Sequence, residues 1–463
     1  MRALATPLVL LLAAPPEPDP ATRDFDQRHL DLTVALDMQS GTLRGVARHR
    51  MAALADELRV VRLHLVDLVV ESVRTGDGAA CGVTHEGGVL QIELDRPRAK
   101  DEEFELEIAY GGRPTAGLWF FRPTETHPGI PWQVWSQGQG TENRHWIPCY
   151  DLPDDRLTTT LRVDVPAGLQ TLSNGVAVSR TETAAGRVEH VWSLEREPPT
   201  YLITLVAGRF DEVVGDAAGV PHHVLVPPGG ARLVEEVFGR TPSMMEFFVA
   251  YTGEPYPWTR YSQVTVWDFM WGGMENTGAT TLNMRALHEP GVRPDYSADG
   301  LIAHELAHQW FGDLVTCRTF DHIWLNEGFA TYFTDLWVEH HHGRDDFDVE
   351  RLRALESYLD AVDLPSLAAQ PRPADPTACG DVRNHAYVKG SAVLHMLRGI
   401  LGDDVFRDGI RRYVRDTRDR SVDSGALRAA LEAESGLDLG EFFDQWVHGS
   451  GFPRLAVSAT ARE

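Results

Sequence analysis

The sequence predicts a multidomain β plus α+β protein: an N-terminal, mostly antiparallel β domain over residues 24–208, then an α+β, mostly helical domain over 209–451. Three observations predict it. The chain has 463 residues, and single hydrophobic cores rarely grow beyond about 250–300. Apolar residues recur with period two from about Asp24 to Gly208, the mark of sheets covered on one face. Beyond Gly208 the apolar spacing becomes helical, and it dominates from about 297 to 447.

Taken in order, "MRALATPLVLLLAAPPEPDP" has one basic residue and then an apolar run from Leu4 to Ala14 broken only by Thr6. That run is too short for a membrane-spanning helix, which needs about 20 residues. Residues 1–23 read as a signal peptide with a Pro-rich lead-in, which implies export; a cytoplasmic protein with a disordered start is the alternative. In "HLDLTVALDM", Leu30, Leu32, Val34, Leu36 and Met38 share one face, and in "EFELEIAY" Phe104, Leu106, Ile108 and Tyr110 do the same. Asn174-Gly175 in "TLSNGVAVS" predicts a hairpin with a type I′ turn. "RTPSMMEFFVAYTG" predicts a helix with Thr241 as N-cap before Pro242, and "SQVTVWDF" a strand over 262–269. Residues 452–463 read as the start of a C-terminal segment. No repeat of 20 to 50 residues is present.

The hydrophobic content of 43% with 24% charged residues is that of a soluble globular protein. With 43 Lys+Arg against 68 Asp+Glu the formal charge is −25, a surface that repels phosphate backbones, so no nucleic-acid partner is expected. Cys81, Cys149, Cys317 and Cys379 form no Cys-x-x-Cys pair, which excludes a zinc ribbon or thioredoxin-like motif and leaves disulfides and isolated buried thiols both open.

Chemistry enters with "LIAHELAHQWFGDLV", residues 301–315. Among 19 His in 463 residues, His-Glu-x-x-His arises by accident roughly 0.05 to 0.1 times per chain. His304 and His308, four apart on a helix, are about 40° apart around the axis and about 6 Å along it, so one face can hold one metal ion. Catalytic zinc takes three protein ligands, and Glu327 in "DHIWLNEGFATYF", 18 residues beyond His308, is the natural third. Alone, each residue would be ordinary, Glu327 a helix N-terminal charge and the histidines solvated. Glu305 reverses the balance, because an acid on an otherwise apolar face needs a reason. Adjacent to His304, it suits a general base rather than a ligand. "EHHHG", with His340 to His342, reads as a solvated helix end. Asp313 and Asp321 are candidate partners of the zinc histidines, and His395 reads as packing.

"HELAH", Glu327 and "GGMEN" at 272–276 together resemble the zinc aminopeptidases related to aminopeptidase N and leukotriene hydrolase, from about residue 25 to the end. The resemblance implies a saddle-like N-terminal β domain and a thermolysin-like catalytic domain, with one Zn2+ per chain. It implies that Glu275 binds the α-amine of the substrate, with Gly272, Gly273, Met274 and Asn276 beside the peptide; without it "WGGMENTGAT" would read as a Gly-rich turn. "SQGQGTENRHWIPCYD" resembles the leukotriene hydrolase branch, which implies Gln139 as a second amine ligand and Gln137 beside the substrate. "HAYVKGSAVLHML" matches the family's Tyr-x-Lys-Gly helix, which implies Tyr387 as oxyanion donor, a buried core tyrosine being the alternative. Cys379 stands where the leukotriene branch has an acid, so epoxide hydrolysis is not expected. Larger members continue into a C-terminal helical domain; here either the chain is shortened or the cleft is unusually open.

The function this implies is removal of N-terminal residues from peptides with a free N-terminus, without a transmembrane helix. Two rivals stand beside it: a zinc metalloendopeptidase, which has no need of an amine clamp, and a catalytically silent binding module with a structural zinc. Side-chain preference at the first residue depends on the pocket beside Gln137 and Trp271.

Overall fold

The computed structural model describes residues 23–293, 295–362, 383–449 and 458. The expected leader up to residue 22, Cys379 and nearly all of 452–463 lie outside the described residues. No helix of the described residues is long and apolar enough to cross a membrane.

The alternating strands assemble as their patterns require. A seven-stranded sheet runs in the order Val176–Ala184, Arg187–Leu194, Thr158–Pro166, Phe25–Asp37, Thr42–Ala53, Glu103–Gly112, Val69–Thr75. Leu30, Leu32, Val34, Leu36, Phe104, Leu106, Ile108 and Tyr110 are all buried on its inner face. One pairing departs from the antiparallel expectation: Phe25–Asp37 and Thr158–Pro166 run parallel, with His29 opposite Thr158. The two strands come from distant parts of the chain, so no short turn fixes their direction. A four-stranded sheet runs in the order Gln170–Ser173, Leu205–Gly208, Gln133–Ser136, Leu118–Phe121. All the sheets are open.

The predicted hairpin at Asn174-Gly175 is not one. The strand before it pairs with Leu205–Gly208 and the strand after it with Arg187–Leu194, so the joint carries the chain from one sheet to another. Tertiary contacts impose this: the Asn174 side chain accepts the Thr204 N–H and donates to the carbonyls of Leu202 and Thr277. Gly175 is required there, with φ of +76° and a hypothetical Cβ only 2.0 Å from the Ser193 carbonyl oxygen.

Beyond Gly208 strand pairing changes partners. A five-stranded sheet has the order Asp211–Ala217, Val220–Val226, Tyr261–Val266, Ala279–Asn283, Gly273–Met274, which leaves Gly273–Met274 at an edge. The strand expected to reach 269 stops at Val266, because the Trp267 N–H is taken by Gln133 Oε1 and its carbonyl by Trp135 Nε1 of the first domain. Helix Thr241–Thr252 begins one residue earlier than expected. The Thr241 hydroxyl donates to Gln263 Oε1 instead of capping, and Pro242 occupies the first turn. Helices Asp299–Ala307, Trp324–His342, Arg344–Val362, Gly390–Leu401, Asp403–Thr417 and Ser424–Ser435 build the second core, with Trp310, Trp324 and Phe329 at its centre. Arg156, from the first domain, donates to the Asp313 carbonyl at 2.7 Å and to the Thr316 hydroxyl at 2.7 Å, which fastens that domain beside the His308 turn. Cys81, Cys149 and Cys317 are unpaired thiols among the described residues.

Candidate metal centre

Helix Asp299–Ala307 buries Ile302, Ala303, Leu306 and Ala307 and so turns His304 and His308 to the opposite side. Its first residue, Asp299, is pinned by Arg240 at 2.6 Å and Arg293 at 2.9 Å. The chain then reverses at Gly312, whose φ of +139° and contact with His308 Nδ1 leave no easy room for a side chain. Helix Trp324–His342 follows, with Glu327 in its first turn, where an acid is favoured by the exposed backbone N–H groups.

Three atoms from these two helices converge. His304 Nε2 and His308 Nε2 are 3.1 Å apart, and Glu327 Oε2 lies 3.4 Å from the first and 3.2 Å from the second. His308 Nδ1 is 2.8 Å from the Phe311 carbonyl oxygen, which can only accept, so Nδ1 carries a proton and Nε2 is the nitrogen turned to the cluster. Glu327 Oε2 is buried and receives no hydrogen bond. Two imidazole nitrogens and a buried carboxylate oxygen that accepts no hydrogen bond converge on one point, and two imidazoles with one carboxylate are a zinc donor set. The residues therefore fit the ion. Burial alone would raise the Glu327 carboxyl, but His308 and His304 outweigh it and hold it below the usual carboxylate range. Burial would lower His308, yet Glu275, Glu327 and Glu305 push it well above the ordinary histidine value. That concentration of negative charge is what a dication offsets.

Glu305, 5% exposed, projects beside the histidines, and burial followed by the nearby Glu275 and Glu327 raises its carboxyl far above the ordinary value. Candidate ligand atoms of Glu275, Glu305 and His308 lie within 4.8 Å of one another. Glu275 is 2% exposed with no partner on Oε1, and burial lifts it to about 7. A buried carboxylate in that state fits an incoming ammonium. Gly273 lies against Glu305: a Cβ there would meet the Glu305 carboxylate. Gly272 precedes it at the same sheet edge and faces Leu301.

Tyr387 sits in a π-helical turn, Arg383–Lys389, with its ring parallel to that of His304, centroids 5.7 Å apart. Burial, then the charges of Glu327 and Glu275, hold its hydroxyl protonated. A glycine contact sets this distance. A Cβ on Gly328, the residue after Glu327, would stand 2.9 Å from the Gly390 Cα and 3.1 Å from the Ala386 carbonyl oxygen.

Other expected residues take more structural places. Gln139, following strand Gln133–Ser136, donates from Nε2 to Glu327 Oε1 at 2.5 Å and so is engaged with the third residue of the cluster rather than standing free. Gln137 Oε1 accepts the Gln139 N–H and braces the loop. Met274 is buried among the apolar residues, and Asn276 is wholly buried, its amide engaged by the Leu202 carbonyl and the Thr281 hydroxyl. Asp313 does not orient His308, since the Phe311 carbonyl occupies that position, and Asp321 is exposed. His340, His341 and His342 are exposed at the helix end, with His341 stacked on Trp337. His395 packs against Tyr332 and Phe347.

Two residues were missed. Gln309 donates to the Glu275 carbonyl and accepts from the Gly278 N–H, tying the histidine helix to the GGMEN strand; its position directly after His308 was the available signal. Tyr201, from the first domain, accepts from Asn326 Nδ2 and reaches the Gly312 carbonyl, contacts that no local pattern announces.

Comparison with known proteins gives two family matches, a peptidase M1 N-terminal domain over residues 26–202 and a peptidase family M1 domain over 237–446. Aminopeptidase 2 of Candida albicans is 26% identical over 93% of this chain and 48% of its own. Probable aminopeptidase 1 of Saccharolobus solfataricus is 27% identical over 92% of this chain and 54% of its own. The chain thus spans about half the length of the curated relatives it matches. A crystal structure of a mutant M1 zinc metallopeptidase from Deinococcus radiodurans, bound to a Tyr-Ser-Ala substrate, superposes with a TM-score of 0.78 at 26% identity, covering 94% of this chain and 96% of that one.

Proposed function

The chain belongs to peptidase family M1, and from that premise we propose that it is a zinc aminopeptidase that removes the first residue from peptides with a free N-terminus. The observation that carries this is the buried carboxylate of Glu275, lacking a partner on Oε1, within reach of the same cluster that holds His308 and Glu305. A carboxylate fixed there pairs with an α-ammonium and leaves room for one residue before the reacting carbonyl.

His304, His308 and Glu327 would hold the zinc ion. When bound, zinc supplies Lewis acidity, polarising the scissile carbonyl and acidifying water. Glu305 takes the proton of the attacking water and then passes it to the leaving amine. Tyr387 donates its hydroxyl to the developing oxyanion. Gln139 steadies Glu327 through its hydrogen bond and offers its carboxamide oxygen to the ammonium. The relatives named as aminopeptidases and the structural neighbour bound to a tripeptide support this reading.

Paired peptides with free and acetylated N-termini test it. Cleavage after the first residue of the free peptide alone is expected. Equal cleavage of both would remove the role of Glu275 and favour an endopeptidase.

A further inference from the structure

One buried phenol of the first domain touches both segments that carry the metal-binding side chains. Tyr201 lies in the short turn Thr200–Leu202 and is 2% exposed. Its backbone is pinned on both sides. The Asn143 amide donates to the carbonyls of Thr200 at 2.7 Å and Ile203 at 3.1 Å, and the Asn174 amide donates to that of Leu202 at 2.9 Å. A Cβ on Gly138 would stand 2.4 Å from the Tyr201 carbonyl oxygen, so the loop leading to Gln139 lies directly against this turn.

The Tyr201 hydroxyl accepts from Asn326 Nδ2 at 3.1 Å and donates to the Gly312 carbonyl at 3.4 Å. Asn326 is wholly buried and immediately precedes Glu327, and its Oδ1 accepts the Cys317 N–H at 3.0 Å. Gly312 immediately follows Phe311, whose carbonyl oxygen lies against His308 Nδ1. Arg156, from the same domain as Tyr201, adds bonds to the Asp313 carbonyl and the Thr316 hydroxyl, and that hydroxyl donates to the Gly312 carbonyl at 2.7 Å. Packing alone does not call for a phenol, since the ring sits edge-on to Phe320 with centroids 5.7 Å apart, a contact that phenylalanine would keep. A buried hydroxyl costs free energy unless it is hydrogen-bonded, and both of these bonds go to residues beside those that hold or orient the metal-binding groups. Burial, then the charge of Glu275, keeps the hydroxyl protonated and able to donate.

We propose that Tyr201 is a positioning residue for the metal: its hydroxyl fixes the separation between the His308 turn and Glu327, so that the first domain sets the zinc affinity of the second. The inference rests on the zinc site of the proposed function and gives the β domain a part in holding the ion.

The test measures zinc dissociation constants of the full chain by competition with a chromophoric chelator, for the wild type, Tyr201→Phe and Tyr110→Phe, alongside thermal melting of each zinc-free protein. Tyr110→Phe is the matched control: it too removes a buried hydroxyl of the first domain, one that donates to the Trp146 carbonyl at 2.8 Å within that domain. Tyr201→Phe is expected to weaken zinc binding about tenfold, the lower end of what losing a partner of a metal ligand costs, because it acts through an intervening residue on each side. Tyr110→Phe is expected to bind zinc as the wild type does, whatever its melting temperature. Asn326→Ala removes the same bond from its other end and is expected to weaken zinc binding at least as much, which keeps the test decisive should Tyr201→Phe fail to fold. Wild-type affinity in Tyr201→Phe or Asn326→Ala, or an equal loss in Tyr110→Phe, would overturn the inference while the zinc site stands. A wild type that binds no zinc would overturn the aminopeptidase reading and this inference with it.

Discussion

Gly328→Ala separates positioning from stability. The new methyl would meet the Gly390 Cα at 2.9 Å, the Gly390 carbonyl carbon at 3.0 Å and the Ala386 carbonyl oxygen at 3.1 Å, all backbone atoms that cannot rotate away. Ordinary contact begins near 3.4 Å, so helix Trp324–His342 and the turn carrying Tyr387 must part by about half an ångström or more. Overpacking of this kind costs about 1–3 kcal/mol, and exchanging Gly for Ala inside a helix returns about 1. Net destabilisation is then about 0–2 kcal/mol, a fall in Tm of a few degrees for a domain of this size. Catalysis should suffer more, since misplacing a reacting group by about 1 Å costs about 100-fold. Steady-state hydrolysis of leucyl-aminomethylcoumarin, thermal melting and zinc content are measured together. A kcat reduced about 10- to 100-fold with zinc retained is expected; a kcat within twofold of wild type would refute the claim that the Gly328–Gly390 contact places Tyr387.

Other outcomes follow from single groups. Tyr387→Phe should lower kcat about 10²- to 10³-fold with little change in KM, and unchanged turnover would remove Tyr387 from the reaction. Glu305→Gln should keep one zinc per chain by metal analysis while losing hydrolysis; an active variant would exclude Glu305 as the base. Burial holds His49 at about 4, below the ordinary 6.5, so the unfolded chain binds the proton first. Stability is therefore complete above about pH 6.5 and falls as the pH drops toward 4, by about 3 kcal/mol from His49. Urea unfolding between pH 7 and 4 measures it, and His49→Gln should flatten the slope; an unaltered slope would assign the acid loss to other groups. Gly175→Ala should destabilise by more than 1 kcal/mol, because φ is +76° and the Cβ would strike the Ser193 carbonyl; an unchanged urea midpoint would contradict that.

Much of this was legible in the chain because its signals are local. Period-two alternation marks the buried faces of Phe25–Asp37 and Glu103–Gly112, and the four-residue histidine spacing puts both imidazoles on one helix face. Glu327 follows from chain length between two helices. What failed was decided by partners distant in sequence. Asn174-Gly175 has the composition of a hairpin, but the carbonyls of Leu202 and Thr277 hold Asn174 between sheets. The parallel pairing of His29 with Thr158 joins residues 129 positions apart, which no alternation pattern encodes. Asp313 looked like a partner for His308, but a backbone carbonyl three residues beyond the histidine is nearer. Tyr387 was legible only through resemblance, because its π-helical turn and its stacking on His304 depend on two glycines in different helices.

The convergence of His304, His308 and Glu327 upon one ion is tested most directly by anomalous diffraction from zinc-loaded crystals, collected above and below the zinc edge. One peak is expected, about 2.0–2.2 Å from His304 Nε2, His308 Nε2 and a Glu327 oxygen. A fully loaded crystal with no peak between these three atoms, or with its peak elsewhere in the chain, would contradict it.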